Sequence, residues 1–230
     1  MANIYISAGH GGRFPGCAHH GMVEKDINLD MALAIVKHLS KYECNIKLAR
    51  TTDVTKRITE RTTEANAWPA DLVVDLHYNG SNDPRARGFE TYVHPSIPLG
   101  NRTEEIRATI HNEIFGELLG KTPDRGTKTA NFQVLRDTDM AAVLIEYLFL
   151  SNKDDAALVE PTREALAEAT ARGIAIAFDL KKKPKPKPTK GQKFHRVVAG
   201  SFRSRERAEA RMKDLKKKGF DSFMDIFIRE

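Results

Sequence analysis

The sequence predicts an α/β fold, built on a twisted, mostly parallel sheet with helices on both faces. Short apolar runs at residues 4–6, 72–76 and 142–145 alternate with longer segments whose apolar residues recur every three or four positions. Buried parallel strands appear as such mostly apolar runs because both faces of their sheet are covered. After a stretch rich in lysine and proline, a small C-terminal β-α-β segment follows.

The elements can be assigned in chain order. The strand at 4–6 ends in a glycine-rich turn around His10, and a helix over 26–39 follows because its apolar residues fall on one face. The remaining elements of this part are a strand at 44–49, a helix at 56–67, a strand at 72–76 followed by a turn at 77–80, a strand at 88–93, a helix at 103–119, an extended piece at 133–135, a strand at 142–145 that ends at Glu146, and a helix at 163–180.

The chain is predicted to divide into three parts. Residues 1–180 form the main α/β domain, and residues 181–193 form a linker that lysine repulsion and proline keep extended. Residues 194–230 form the small segment, with a strand at 194–200, a helix at 203–218 and a strand at 221–228. About 37 residues are fewer than a domain usually needs to fold alone.

Charge separates the tail from the rest of the chain. Residues 1–180 hold 20 Lys and Arg against 25 Asp and Glu, whereas residues 181–230 hold 17 against 6, so a basic tail supplies the net charge of +6. This asymmetry predicts that the tail meets a polyanion. No apolar run reaches the roughly 18–20 residues of a membrane span, so we expect no membrane partner. We see no signal peptide and expect a protein made in the cytoplasm.

Three polar side chains each follow an apolar strand. They are His10, His77 and Glu146. In parallel sheets the site lies outside the carboxyl ends of the strands, so we expect these residues to meet. Glu24 opens the next helix, and two histidines with one glutamate are a donor set that leaves catalytic zinc an open position. Glu146 lies in an apolar context that raises the pKa of a carboxylate toward that of a general base.

Each of these residues also has an ordinary structural explanation. A lone histidine at a strand end is commonly structural, and Glu24 alone is an acid favoured by the helix dipole. Other side chains compete for the metal or support it: Cys17, His19, His20 and Asp75. A free thiol is the preferred interpretation of Cys17 because no metal-ligand spacing accompanies it. Asp75 is a candidate partner for an imidazole.

An ordered set of short segments runs through residues 1–180. They are Ala8-Gly9-His10-Gly11-Gly12, Glu24-Lys25-Asp26 with Asn28-Leu29, Arg50-Thr51-Thr52-Asp53, Arg61 with Ala65-Asn66, Leu76-His77-Tyr78-Asn79, Gly88-Phe89-Glu90-Thr91-Tyr92, residues 128–136, and Leu144-Ile145-Glu146 with Leu150-Ser151-Asn152. In this order the set resembles the zinc-dependent N-acetylmuramoyl-L-alanine amidases of the amidase_3 type, which include phage endolysins and sporulation cell-wall hydrolases. The departures from the family pattern, at Ser7-Ala8, Ala141 and Leu148, involve no ligand.

The resemblance implies a specific reaction and site. One zinc ion is held by His10, Glu24 and His77, and Glu146 is the catalytic glutamate. The enzyme cuts the amide between N-acetylmuramic acid and L-alanine in peptidoglycan, as an endolysin or autolysin that lyses cells. Asn79, at the mouth of the site, is a candidate substrate-binding residue. We expect the protein to reach the wall after holin-type release or mother-cell lysis.

The tail resembles one half of a SPOR-type repeat, a family that binds septal or denuded glycan strands. The matching residues are 197–202, a following helix, and Gly219-Phe220-Asp221. A complete module has two such halves, so we hypothesise that residues 194–230 pair two copies of the chain as a homodimer. The other explanation is a solvated basic appendage with weak affinity for anions.

Three other functions remain open from the sequence. A zinc peptidase acting on the peptidoglycan stem peptide would use the same four residues on another bond. A lysine-rich tail also binds nucleic acid, but it has neither aromatic stacking platforms nor a recognition-helix motif, so we expect no nucleic-acid partner. A wall-binding protein with an inactive catalytic domain is the third, and the presence of all three ligands and the glutamate argues against it.

Overall fold

A six-stranded sheet organises the first of two units, Met1–Pro184 and Lys185–Glu230, in a computed structural model that describes residues 1–184 and 204–218. The elements of the first unit are β1 (Ala2–Ala8), β2 (Ala18–His19), β3 (Met22–Val23), α1 (Glu24–Leu39), β4 (Cys44–Leu48), α2 (Ile58–Ala67), β5 (Leu72–Asn79), β6 (Phe89–Val93), α3 (Arg102–Leu118), β7 (Asp124–Thr129), α4 (Gln133–Arg136), β8 (Ala141–Phe149) and α5 (Lys153–Ala177). The described part of the second unit contains α6 (Arg205–Lys217).

The strand order across the sheet is β4-β1-β5-β8-β6-β7. Every neighbouring pair is parallel except β6 with β8. The short strands β2 and β3 form a separate antiparallel pair. The predicted fold class, a mostly parallel sheet with helices, is therefore confirmed for this unit.

The two faces of the sheet are covered unequally. On one face, α1, α3 and α5 pack on the main core, which includes Ile6, Val74 and Ile145. On the other face, α2 and α4 cover a smaller cluster that includes Val73 and Leu144. Because side chains alternate along a strand, the smaller face continues into polar side chains at the carboxyl ends of β5 and β8.

Three strands run further than predicted. The 4–6 strand extends from Ala2 to Ala8 as β1. The 72–76 strand continues through Asn79 as β5, and the 142–145 strand continues through Phe149 as β8. The predicted turn at 77–80 and the strand end at Glu146 are therefore wrong. Strands β5 and β8 stay paired past the apolar residues, with His77 opposite Glu146 and a register shift before Asn79. Sheet hydrogen bonding continues there although the side chains are polar.

Residues 133–135 and strand β7 differ from the sequence prediction. Residues 133–135, predicted as extended, belong to the helical turn α4, in which the Phe132 carbonyl accepts from the N–H groups of Leu135 and Arg136. Strand β7 has no apolar alternation in its sequence, and it forms at the sheet edge by pairing with β6. Pairing with a neighbour, not its own composition, makes this segment a strand.

Helix α5 begins ten residues before its predicted start at 163. The side-chain oxygen of Asn152 accepts from the N–H groups of Asp154 and Asp155, which caps the helix. Pro161 lies inside the helix, where proline normally removes a hydrogen bond. Leu166 and Ile174, further along the same helix, are fully buried. Tertiary packing thus outweighs the local cost of the proline.

The second unit contains the predicted helix of the tail, observed as Arg205–Lys217. The predicted strands at 194–200 and 221–228, and linker residues 185–193, lie outside the described residues. The first linker residues pair with the main domain, since the Glu43 N–H donates to the Lys181 carbonyl and the Lys183 N–H to the Lys41 carbonyl. Among the described helices, none combines the length and apolar character needed to cross a bilayer.

Candidate active site

A cavity of about 430 Å³ opens at the carboxyl ends of the central strands. Its wall contains the four residues that the sequence assigned to chemistry. The lining residues are His10, Cys17, His19, Glu24, His77, Tyr78, Asn79, Gly80, Ser81, Asn82 and Glu146. They come from the loop after β1, from β2, from the start of α1, from the end of β5 and the loop after it, and from β8.

His10, Glu24 and His77 lie together as a group of side chains that could hold a metal ion. One ligand atom from each lies within 4.8 Å of those from the other two. The Nε2 atom of His10 is 3.2 Å from Glu24 Oε2, and the Nδ1 atom of His77 is 2.8 Å from Glu24 Oε1. Within residues 1–184 and 204–218, no other group of three meets this criterion.

Glu24 is held as a carboxylate between the two imidazoles. Its side chain is 5% exposed, and the backbone N–H groups of Cys17 and Tyr78 donate to it at 2.9 and 3.3 Å. Burial alone would raise the pKa of this carboxyl, but hydrogen bonds with His10 and His77 keep its pKa far below the usual range. The residue is therefore ionised, as a metal ligand must be.

Asp75 orients His77 from behind. Its Oδ2 atom is 3.1 Å from His77 Nε2, which leaves Nδ1 facing Glu24. Burial opposes the charged imidazole, yet Asp75 and Glu24 raise the pKa of His77 well above its normal value. A carboxylate on the far ring nitrogen fixes the orientation of a metal-binding histidine. Asp75 is thus the imidazole partner that the sequence predicted.

Two buried arginines fix the backbone around His10. Arg50 donates to the carbonyls of Ala8 and Gly9 at 3.1 Å each, and to that of Lys25 at 2.6 Å. Arg61 donates to the carbonyl of His10 and to Ser7 Oγ. These bonds hold the β1 loop against the start of α1 and maintain His10 at a φ of 61°.

Two glycines allow the ligands to approach one another. A Cβ on Gly9 would lie 2.5 Å from Cε1 of His77, and one on Gly16 would lie 2.3 Å from Glu24 Oε2. Separations under 3.0 Å require a neighbour to shift. Glycine at these two positions is therefore a condition for the geometry of the site.

Glu146 faces the cavity from β8, opposite His77 in the strand register. Its Oε2 atom is buried and has no hydrogen-bond partner. Burial raises the pKa of the Glu146 carboxyl to about 8; His77 opposes the rise and Glu24 adds to it. An unpaired buried carboxyl oxygen beside three ligand residues is suited to moving a proton.

The other candidates take different positions. Cys17 and His19 line the cavity, but neither belongs to the ligand group, and His20 is exposed. Burial raises the pKa of the Cys17 thiol to about 12, which keeps it protonated. Three further histidines within residues 1–184 have structural partners: His38 contacts Glu164, His94 contacts Ser96 and Asn131, and His111 contacts Thr91 and Asp124.

Asn79 lies at the cavity wall, and its amide is engaged. Its Nδ2 atom donates to Glu90 Oε1 at 2.6 Å, and its Oδ1 atom accepts from the Gly80 N–H at 3.0 Å. Glu90 in turn binds Arg125 and Lys128. The sequence offered no reason to place the last two near the site, because β7 has no strand pattern. The one sequence feature that could have indicated this cluster is Glu90, a charged residue within the otherwise mostly apolar strand at 88–93.

Two family descriptions match the sequence. The Amidase_3 family, N-acetylmuramoyl-L-alanine amidase, matches residues 4–176, and the SPOR domain matches residues 159–224. The second match begins inside α5, crosses the linker and ends within the tail at residue 224.

Curated relatives agree with the family matches. The sporulation-specific N-acetylmuramoyl-L-alanine amidase of Bacillus subtilis (strain 168) is 35% identical over 228 residues, which cover 97% of this chain and 84% of that protein. The endolysin of Bacillus phage SPP1 is 40% identical over 184 residues, covering 78% of this chain and 67% of that protein.

Solved structures share the fold. The catalytic domain of the amidase CwlV from Bacillus (Paenibacillus) polymyxa var. colistinus superposes with a TM-score of 0.73 at 30% identity, covering 79% of this chain and 100% of that domain. The amidase AmiC2 of Nostoc punctiforme gives a TM-score of 0.71 at 26% identity, covering 77% of this chain and 97% of that chain.

Proposed function

The chain belongs to the Amidase_3 family of N-acetylmuramoyl-L-alanine amidases, which hydrolyse peptidoglycan, and from this premise we propose how its residues perform the reaction. A single zinc ion is held by His10, Glu24 and His77, and Glu146 moves the protons. The bond cut joins the lactyl group of N-acetylmuramic acid to L-alanine.

The observation that carries this proposal is the convergence of four side chains in one cavity. His10 Nε2 and His77 Nδ1 both face the ionised Glu24, and the unpaired oxygen of Glu146 lies in the same cavity. Two imidazoles and a carboxylate fit zinc, since this donor set leaves a position open for water or substrate. Asp75 supplies the outer partner that zinc-binding histidines normally have.

The metal and Glu146 have separate roles in the proposed reaction. Zinc, when bound, lowers the pKa of the attacking water and polarises the scissile carbonyl. Glu146 takes a proton as the water oxygen adds to the carbonyl carbon. The C–N bond then breaks, and Glu146 returns the proton to the nitrogen of L-alanine. The products are a lactyl carboxylate and a free α-amino group. A carboxyl whose pKa burial raises to about 8 can both accept and donate near neutrality.

Product analysis tests the reaction and separates it from its rival. Purified cell wall is digested with and without a chelator, and new α-amino groups and reducing sugar ends are measured. We expect new L-alanine N-termini without reducing ends, lost with chelator and restored by zinc. New amines on other residues would instead show a peptidase acting on the stem peptide, and activity that persists after full metal removal would contradict the zinc site.

For the tail, we propose wall targeting and pairing of two copies through residues 194–230. The SPOR match and the excess of lysine and arginine support wall binding. A chain truncated after Pro184 keeps the contacts of Lys181 and Lys183 with the main domain. We expect it to hydrolyse soluble muropeptides normally but to bind cell wall more weakly than the full chain, with less dependence on salt. Equal binding by both forms, or a monomer in sedimentation at micromolar concentration, would contradict targeting or pairing respectively.

The route to the wall is also a proposal. The protein is made in the cytoplasm and acts after holin-type release or mother-cell lysis; the names of the sporulation-specific relative and of the phage endolysin support these two settings. Fractionation of expressing cells tests this route. We expect the protein in the cytosolic fraction until lysis, and secretion from intact cells would contradict it.

A further inference from the structure

A cationic cluster on β6 and β7 takes no part in the mechanism above. It consists of Glu90, Arg125 and Lys128, and we call it the β6–β7 cluster. Glu90 is 2% exposed, and its Oε2 atom accepts from Arg125 Nε at 2.7 Å and also pairs with Lys128 Nζ. Two cations on one carboxylate leave a net positive charge of one at this position.

The β6–β7 cluster adjoins the cavity. Strands β6 and β8 are antiparallel, and Glu90 lies directly opposite Glu146 in their register. Residues that face each other across a strand pair project from the same face of the sheet. Asn79, which lines the cavity, donates to Glu90 at 2.6 Å and so connects the two places. The positive charge therefore lies on the sheet face that carries the proposed general base.

Both cations are held in place and remain accessible. The Arg125 guanidinium carbon lies 4.8 Å from the centre of the Phe149 ring, and the Lys128 Nζ atom lies 5.9 Å from that of Tyr92. Each of the two side chains is 35% exposed. A guanidinium has five N–H donors in a plane, and Arg125 uses Nε on Glu90 and NH1 on the Arg87 carbonyl. Further donors remain for a carboxylate ligand.

We propose that Arg125 and Lys128 form a subsite for a carboxylate on the peptide limb of the substrate. The inference rests on the proposed function, because that function defines which amide is cut beside Glu146. Strand β7 is two strands from β8, about 10 Å at the usual strand spacing. An extended peptide advances about 3.3 Å per residue, so the carboxylate belongs to the second or third residue after the cut amide.

Charge favours the peptide limb over the glycan as the occupant. In the intact substrate the glycan presents hydroxyl and acetamido groups and its lactyl group is an amide, so it offers no anion. An acidic peptide offers carboxylates, which arginine binds through paired hydrogen bonds. One cation offsets the carboxylate of Glu90, and the charge of the other remains for an acidic peptide.

The test uses the full chain with zinc and synthetic muramoyl tripeptides as probes. The peptides are identical except that the second or third residue carries a carboxylate or the matching carboxamide. Release of the L-alanine amine gives kcat and KM for each. For the wild type we expect kcat/KM to be about tenfold higher with the carboxylate at one of these positions, mostly through KM. Arg125→Gln and Lys128→Gln each bring this ratio toward one.

Control variants separate a loss of the subsite from a general loss of positive charge. Lys121→Gln removes the same charge from an exposed lysine just before β7, and we expect it to keep the wild-type ratio. Arg125→Lys retains the charge and should keep part of the preference for the carboxylate peptide. If Arg125→Gln does not fold, Arg125→Lys and Lys128→Gln test the subsite in its place. A wild-type ratio near one, or an unchanged ratio in Arg125→Gln and Lys128→Gln, overturns the subsite. Failure of the wild type to release L-alanine amine from any peptide would instead overturn the proposed reaction.

Discussion

The β1–α1 side of the cavity and its β6–β7 side hold their charged residues in different ways. On the first side, Arg50 and Arg61 are 3% and 4% exposed and donate mainly to backbone carbonyls around His10. On the second side, Arg125 and Lys128 are about one-third exposed and share the carboxylate of Glu90. Bonds to a buried backbone fix the position of a ligand residue, whereas cations on a side-chain carboxylate stay available to a bound molecule.

In the proposed mechanism, proton transfer belongs to neither side but to Glu146 on β8, the strand between β5 and β6. Glu146→Gln should lower kcat about 1,000-fold, the middle of the range for loss of a general base. Its zinc content should match that of the wild type, because Glu146 is outside the ligand group. Amine release from cell wall and elemental analysis measure the two quantities. Turnover near normal would remove Glu146 from proton transfer, and loss of zinc would place it among the ligands.

The two sides should differ in what their arginines contribute to stability. Arg61→Met leaves the buried Asp75 without the guanidinium 4.0 Å away and should lower the free energy of unfolding by about 3 kcal/mol. Arg125→Met removes a cation that is about one-third exposed, and Glu90 keeps Lys128 as a partner, so this change should cost only about 1 kcal/mol. Urea unfolding of both variants measures the difference. Equal losses of unfolding free energy would show that the arginines on the two sides contribute equally to stability.

The close approach of backbone and ligand on the β1 side makes a separate prediction. Gly9→Ala brings a Cβ within 2.5 Å of the His77 ring, so the ring must move. We expect zinc affinity, measured by chelator competition, to fall about 10–100-fold, as when other supports of a ligand are lost. Gly116→Ala is the control: no atom lies within 4 Å of its Cβ, and it lies inside α3. It should keep zinc affinity and add about 0.5–1 kcal/mol of stability.

The smallest expected effect is the pH dependence of stability that His111 contributes. His111 contacts Thr91 of β6 and Asp124 of β7. Burial lowers the pKa of His111 from its usual value of 6.5, although Asp124 opposes the shift. The unfolded chain therefore binds a proton more readily than the folded one, so this residue destabilises the fold as pH falls below about 6.5. Between pH 7.5 and 5.5 the urea midpoint should fall less in His111→Gln than in the wild type. An identical fall in both would exclude His111 as a source of the pH dependence.

Several features of the protein were determined by the sequence alone. Apolar runs predicted β1, β5 and β8 because strands buried on both faces are built mostly from apolar residues. The polar residues that follow those runs identified the cavity wall, since the carboxyl ends of parallel strands meet at one edge. The order of the short segments around His10, Glu24, His77 and Glu146 also indicated the family that the comparisons bear out.

Other features depend on contacts between segments that are distant in the sequence. Strand β7 and the end of β5 form because a neighbour supplies hydrogen-bond partners, and this information is absent from a segment's own composition. Helix α5 extends across Pro161 because long-range packing outweighs a local penalty. The position of Arg125 and Lys128 beside Glu90 likewise depends on strand order. Local patterns determine which segments are buried, but contacts between distant segments determine which polar side chains meet.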